Sequence, residues 1–228
     1  MNPRLVAGLL YLLAFGTVSV AQSGDEVDAA LARLDGARQD ENWFFTMHLT
    51  ENDERRVITH DPSADPYIQR ELVSVDGETP DEDALEEFRE QEKERVDERD
   101  PEASYSYLVD TATLEQLGVD GDTVEYAFDP RIKAMEDSLD KMSGKLRFDT
   151  ASGDITSIEV FNTEELSPAF SVTVNSYRLT FRFHEEQGAR LLQRMESHAV
   201  GKAGFVKGFD SLVVVDFSDY RAADAVRE

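Results

Sequence analysis

The side chains equipped for chemistry in this sequence are few, and their spacing leaves most of them idle. There is no cysteine, so thiol catalysis, thiolate metal sites and disulfides are all excluded. Ser167 and Ser211 lack the Gly-x-Ser-x-Gly elbow that exposes a hydrolase nucleophile, and none of the four histidines stands in a triad context. His48 and His60 fall on two strands of one hairpin and could approach each other. A zinc site needs further ligands at usable spacing, and the sequence offers none there. The run from Gly201 to Gly208 has the glycines of a phosphate loop without their spacing or its terminal Lys-Ser/Thr pair. Those glycines suit a turn or a close approach between strands. Carboxylates are so abundant that a glycosidase-like pair could be drawn almost anywhere, which constrains nothing. The expectation is a chain that is not an enzyme and has no cofactor and no metal.

The elements that would carry any site are mostly strands. From Gly144 to Ser218 the chain reads as an antiparallel meander: Lys145 to Asp149, Ile155 to Phe161, a long strand Phe170 to His184, Arg190 to Val200, and Leu212 to Phe217. β-branched and aromatic residues fill these runs and Gly-bearing turns divide them. In the long strand, Phe170, Val172 and Val174 share one parity, whereas Tyr177, Leu179, Phe181 and Phe183 share the other. One apolar face can continue only if a residue is inserted near Asn175 and Ser176. The alternative is two faces meeting two different layers.

Upstream, Ser23 to Glu26 has the form of a capping box. Val27, Ala30, Leu31, Leu34 and Ala37 follow at helical spacing. Trp43, Phe45, Met47 and Leu49 alternate as a strand, with Arg56 to His60 as its hairpin return and Arg70 to Asp76 as a further strand. Thr79, Pro80 and Glu82 suggest a helix start, with Thr79 as cap. Asp81 to Asp100 holds eleven acidic and four basic residues, which predicts a solvated helix that projects or lies on the surface. Asp110 to Leu117 reads as a short helix stopped by Gly118, and Thr123 to Phe128 as a strand. Ile132, Met135, Leu139 and Met142 would lie on one side of a helix leading into the meander. The expected fold is α+β: a curved antiparallel sheet, or half-barrel, packed against helices. Residues 22–228 are expected to form one domain with a helical insertion at about 79–118.

Met1 to Ala21 has the tripartite pattern of a cleavable secretory signal: Arg4, an apolar core from Leu5 to Val18, then Ser19-Val20-Ala21. The apolar core is shorter than the roughly 20 residues of a spanning helix, so no stable membrane span is expected after cleavage. The expected compartment is the periplasm, with the extracellular space as the alternative. A formal net charge of −25 argues against nucleic acid as a partner.

The order of export signal, N-terminal helix, Trp-led strands, helical insertion and long meander resembles the periplasmic lipoprotein-carrier superfamily of LolA/LolB-like and RseB-like half-barrels. The stretch Ile155 to Tyr220 is similar to secreted proteins near that group, through Asn162-Thr163, Leu166 to Phe170, Gly201-Lys202 and Phe217 to Tyr220. The resemblance implies a curved sheet whose concave face accepts a lipid or a lipoprotein acyl chain. The residues expected to line it are Trp43, Phe45, Phe170, Val172, Val174, Phe181 and Phe183. The alternative is a protein-interaction or structural module of the envelope, its partner another envelope protein and those residues simply core.

Overall fold

Strand follows strand for most of the chain because the apolar residues recur with period two. The computed structural model describes residues 20–99, 103–169, 171–204 and 207–223; Met1–Ser19 of the expected leader and Phe170 lie outside them. The strands are β1 (Trp43–Glu51), β2 (Glu54–His60), β3 (Arg70–Val75), β4 (Val109–Asp120), β5 (Thr123–Pro130), β6 (Met142–Asp149), β7 (Asp154–Asn162), β8 (Leu166–Ala169), β9 (Val172–Glu186), β10 (Ala189–Ala203) and β11 (Lys207–Ala222). They form one antiparallel sheet in the order β3-β2-β1-β11-β10-β9-β7-β6-β5-β4, with β8 alongside β9. The pairing of β1 with β11 joins the N-terminal hairpin to the end of the meander. The two edges, β3 and β4, do not meet, so the curved sheet stays open as a half-barrel. The fold is α+β, with α1 (Val20–Gly36), α2 (Gln39–Asn42), α3 (Glu82–Asp97) and α4 (Tyr105–Leu108) completing it.

One apolar row crosses seven strands. Tyr126, Leu146, Ile158, Phe181, Met195, Val215 and Leu49 are consecutive cross-strand partners, and directly opposed residues share a face of the sheet. At one end of the row, Tyr126, Leu146 and Ile158 are buried beneath the α1 stripe of Val27, Ala30, Leu31 and Leu34. At the other, Val215 joins Trp43, Phe45, Ile58, Leu72 and Phe88 of α3 in a second core. The opposite, convex face carries ion pairs between strands. Arg147 and Lys145 both reach Glu125, and Arg194 reaches Asp216 at 3.0 Å.

Inserted residues make the curvature. On β9, Ser176 pairs with Val200 and Val174 with Gly201, which leaves Asn175 as an extra residue. The bulge therefore sits where the parity of the sequence changes, and it returns Val174 to the face of Tyr177. A second extra residue, Gln193, lies on β10 between Leu192 and Arg194. Gly201 sits at the first bulge because nothing larger fits: an added Cβ would lie 2.1 Å from the Thr173 carbonyl oxygen.

Three local expectations are corrected. Asp110 to Leu117 belongs to β4 rather than to a helix. The chain leaves the ladder between Asp110 and Glu115, and Thr113 fills the excursion by donating to the Asp110 carbonyl while accepting from Asp129 N, both at 2.8 Å. Leu114 thereby packs on the first core, which gave the segment its helical spacing. α3 is capped by Asp81, whose carboxylate accepts from Ala84 N, and not by Thr79. α1 begins at Val20, ahead of the expected cap at Ser23. α3 itself lies on the second core through Phe88, with Glu92 also buried, so its acidic face is solvated while its apolar side is docked.

Candidate functional site

Between the two cores the middle of the concave face is left without a long helix above it. There a groove of about 720 Å³ opens over Tyr177, Leu179, Phe181 and Phe183 of β9, Leu192 of β10 and Phe217 of β11. That volume falls within the range of ordinary small-molecule sites. Leu179, Phe181 and Phe217 are only half-buried, whereas Phe183 is 6% exposed at the deep end. The sheet thus presents aromatic and aliphatic surface that its own helices do not cover.

The wall of the groove is α4, a single turn, and such a turn cannot hold itself together. It is fastened from outside. Ser104 caps it by accepting from Tyr107 N at 3.0 Å. The Asp35 carboxylate, at the end of α1, accepts from Tyr105 N at 2.8 Å and from Ser106 N at 3.1 Å. Thus clamped, Tyr105 stands edge-on to Phe181 and Phe183, at centroid distances of 5.5 and 5.0 Å. Burial pushes the Tyr105 phenol well above its usual range, so it remains protonated and able to donate.

At the other wall the Gln39 side chain accepts from Leu192 N at 3.0 Å, which seats α2 against β10. Charge gathers around it. Arg38, Arg70, Arg99, Arg131, Lys133 and Arg190 line the groove, against the carboxylates of Asp35, Asp40 and Glu41. Arg70 lies 3.8 Å from Asp40 and 3.7 Å from Glu92, and Arg190 lies 3.8 Å from Asp154. All three separations exceed hydrogen-bond length. The Nε donors of Arg70 and Arg190 are buried with no acceptor among the described residues. Burial lowers the Arg70 pKa from its ordinary value, with the nearby Asp40 charge opposing the shift.

The seven residues expected to line a binding face are not all together. Phe181 and Phe183 line the groove. Trp43 and Phe45 are 7% and 2% exposed within the second core, where both rings meet Tyr220. Val174 packs against the first core, and Val172 pairs with Ala203 in the extension beyond the bulge. Phe170 lies outside the described residues. Tyr105, Phe217 and the arginines carried no signal in the sequence, because each reaches the groove through a contact distant along the chain. Leu179 was visible, being on the same parity as Phe181. His48 and His60 do not meet. Phe45 opposes His60, so His60 lies on the concave side, stacked on Phe45 at 4.4 Å. His48 is on the other face, its Nε2 3.2 Å from Ser218 Oγ. Among the described residues no group of three or more His, Asp or Glu side chains is placed to hold a metal, and no helix is long and apolar enough to cross a membrane.

No protein-family model matches the chain, and no curated protein matches it. The fold resembles a crystal structure of a LolA superfamily protein from Nitrosomonas europaea. The two are 11% identical, over 90% of this chain and 94% of that one, with a TM-score of 0.36. That likeness concerns the fold alone.

Proposed function

We propose that this protein is a non-catalytic binder of an apolar chain, exported by its N-terminal leader, with the concave groove as its site. The observation that carries the reading is the half-exposed floor of Tyr177, Leu179, Phe181 and Phe217 in a groove of about 720 Å³. A protein that needed only a core would close this surface, since burying an aromatic or leucine side chain contributes about 1.5–3 kcal/mol. The expected ligand is a lipid or a lipoprotein acyl chain. Each enclosed methylene contributes about 0.8 kcal/mol, so a sixteen-carbon chain offers about 12 kcal/mol before binding costs. Half of that, about 6 kcal/mol, corresponds to a Kd of tens of micromolar. Useful carriage therefore requires enclosure of most of the chain, and α4 with Tyr105 is the element placed to complete it. A second reading, a module for an envelope protein partner, draws on the edge strand β4, which leaves Leu117 and Val119 49% and 61% exposed. Native mass spectrometry of the purified protein, with titration of a fluorescent fatty acid, separates the two. Saturable binding that Phe181→Asp abolishes without loss of fold supports the groove. Absence of copurified lipid and of saturable binding leaves the interaction module.

A further inference from the structure

The groove is locally positive in a chain of net charge −25, and that inversion needs a reason. A neutral acyl chain gives none. Arg38 pairs with Glu41 at 2.9 Å and Arg131 with Asp110 at 2.6 Å. Arg70 and Arg190, by contrast, are largely buried and lie beyond hydrogen-bond length of their carboxylates, so an anion seated beside those two would offset their desolvation. Arg70 and Arg190 also bury an Nε donor that has no acceptor among the described residues, which leaves the loss of its hydration uncompensated. The carboxylate nearest each is already taken by another arginine. Glu92 takes Arg95 at 2.8 Å, and Asp154 takes Arg33 at 3.1 Å. Both flank α2: Arg190 adjoins Leu191 and Leu192, where Gln39 docks, and Arg70 faces Asp40.

Resting on the groove reading, we propose that the ligand is an anionic amphiphile: its tail lies on the β9 and β11 floor, and its carboxylate or phosphate is held by Arg70 and Arg190. A planar guanidinium offers paired donors that suit either anion. Fatty acids and anionic lysophospholipids share this chemistry. Tyr105, edge-on to Phe181 and Phe183 and protonated, lies along the path of the tail and adds cover rather than charge.

The test is a pair of probes with one tail and two heads. Dansylated undecanoate and its methyl ester are titrated into the full protein, in parallel with lysophosphatidylglycerol against lysophosphatidylcholine. The acid is expected to bind about tenfold or more tighter than the ester, with the difference shrinking as salt is raised. The lysophospholipid pair tells a phosphate source from a carboxylate source, and a preference for the anion in either pair supports the proposal. Arg190→Gln is expected to bring the acid to the affinity of the ester while leaving the ester unchanged, since Asp154 keeps Arg33. Arg70→Gln serves as a second variant, and the wild-type comparison stands even if it fails to fold. Equal affinity for acid and ester overturns the anionic headgroup and leaves the apolar groove standing. An anion preference untouched by Arg190→Gln and a folded Arg70→Gln overturns the assignment to these residues. Failure of every probe to bind removes both this inference and the groove reading.

Discussion

Gly144→Ala tests the packing that holds the first core in place. Gly144 opposes Phe128 on β5, and the Phe128 ring lies across it. An alanine Cβ would stand 2.2, 2.4 and 2.5 Å from the ring atoms Cζ, Cε2 and Cε1. Separations between carbons near 3.5–4.0 Å are favourable, so either ring or strand must move by more than an ångström. The ring has little room, being 2% exposed in the core beneath α1. Overpacking of this kind costs about 1–3 kcal/mol. Replacing a strand glycine returns about 0.5–1 kcal/mol of backbone entropy. A net loss of about 1–2 kcal/mol is expected, or roughly 2–8 °C in Tm for a domain of this size. Phe128→Leu alone should also destabilise, by leaving a cavity. Combined with Gly144→Ala, it frees the space the new methyl needs, so the double variant should be more stable than the two separate losses predict, by about 1 kcal/mol. Denaturant unfolding of the four proteins measures this. A Gly144→Ala protein as stable as wild type, or strict additivity in the cycle, refutes the ring-over-glycine contact.

Asp35→Ala should free α4 without unfolding the sheet. Two hydrogen bonds to a carboxylate are lost, each worth about 1.5–3 kcal/mol; amide exchange at 105–108 should rise while that of β6 and β7 stays slow, and fatty-acid affinity should fall. Stability should fall in mild acid through His60. Its Nε2–H donates to the Asp40 carbonyl at 2.9 Å, and its Nδ1 is buried with no partner among the described residues. Burial lowers its pKa below the ordinary histidine value of 6.5 despite the opposing hydrogen bond and charge of Asp40, with Arg70 and Arg95 adding to the lowering. The folded state thus binds fewer protons than the unfolded one below about pH 6.5, so stability is lost as pH falls through that region and levels off below the folded pKa. Chemical denaturation from pH 7.5 to 5 checks this, and His60→Gln should flatten the slope; an unchanged slope would refute the assignment.

How much could be seen in the sequence depended on how local the cause was. The bulge at Asn175 was legible because the reversal of parity between Val174 and Tyr177 is written in adjacent residues. The β1–β2 hairpin and the meander of β6, β7, β9, β10 and β11 were legible for the same reason. β4 was not, because Leu114 and Leu117 have helical spacing, and only pairing with β5 and the Thr113 bridge make the segment a strand. The expected leader lies outside the described residues up to Ser19. Of the residues expected in the binding face, Trp43 and Phe45 are drawn into the second core by Tyr220. The extra residue lies at Asp219 and Tyr220: Asp219 takes a φ of +56° and the β1–β11 register slips between Phe44 and Thr46. That slip accompanies burial of the Tyr220 side chain, whose hydroxyl donates to the Leu192 carbonyl at 2.6 Å. Alternation alone could not announce it, since alternation would place Tyr220 opposite in parity to Phe217.

The groove follows from a mismatch between the sheet and its cover. The apolar row from Tyr126 to Leu49 spans seven strands, at about 4.8 Å per strand, whereas a helix with its side chains covers about 10–12 Å. α1 shields one end of the row and α3 the other, so Phe181 falls in the gap, with Met195 leaning on the second core. A chain that only needed stability could have set a third amphipathic helix there. What stands there is one turn, Tyr105–Leu108, held by a carboxylate seventy residues earlier in the sequence. A one-turn cover fastened by two hydrogen bonds opens at far lower cost than a packed helix. The same clamp fixes Tyr105 against Phe181 when closed. Under the function proposed above, the partly exposed aromatic floor, the light cover and the arginines around α2 serve one end, with an apolar ligand taking the place of the missing helix.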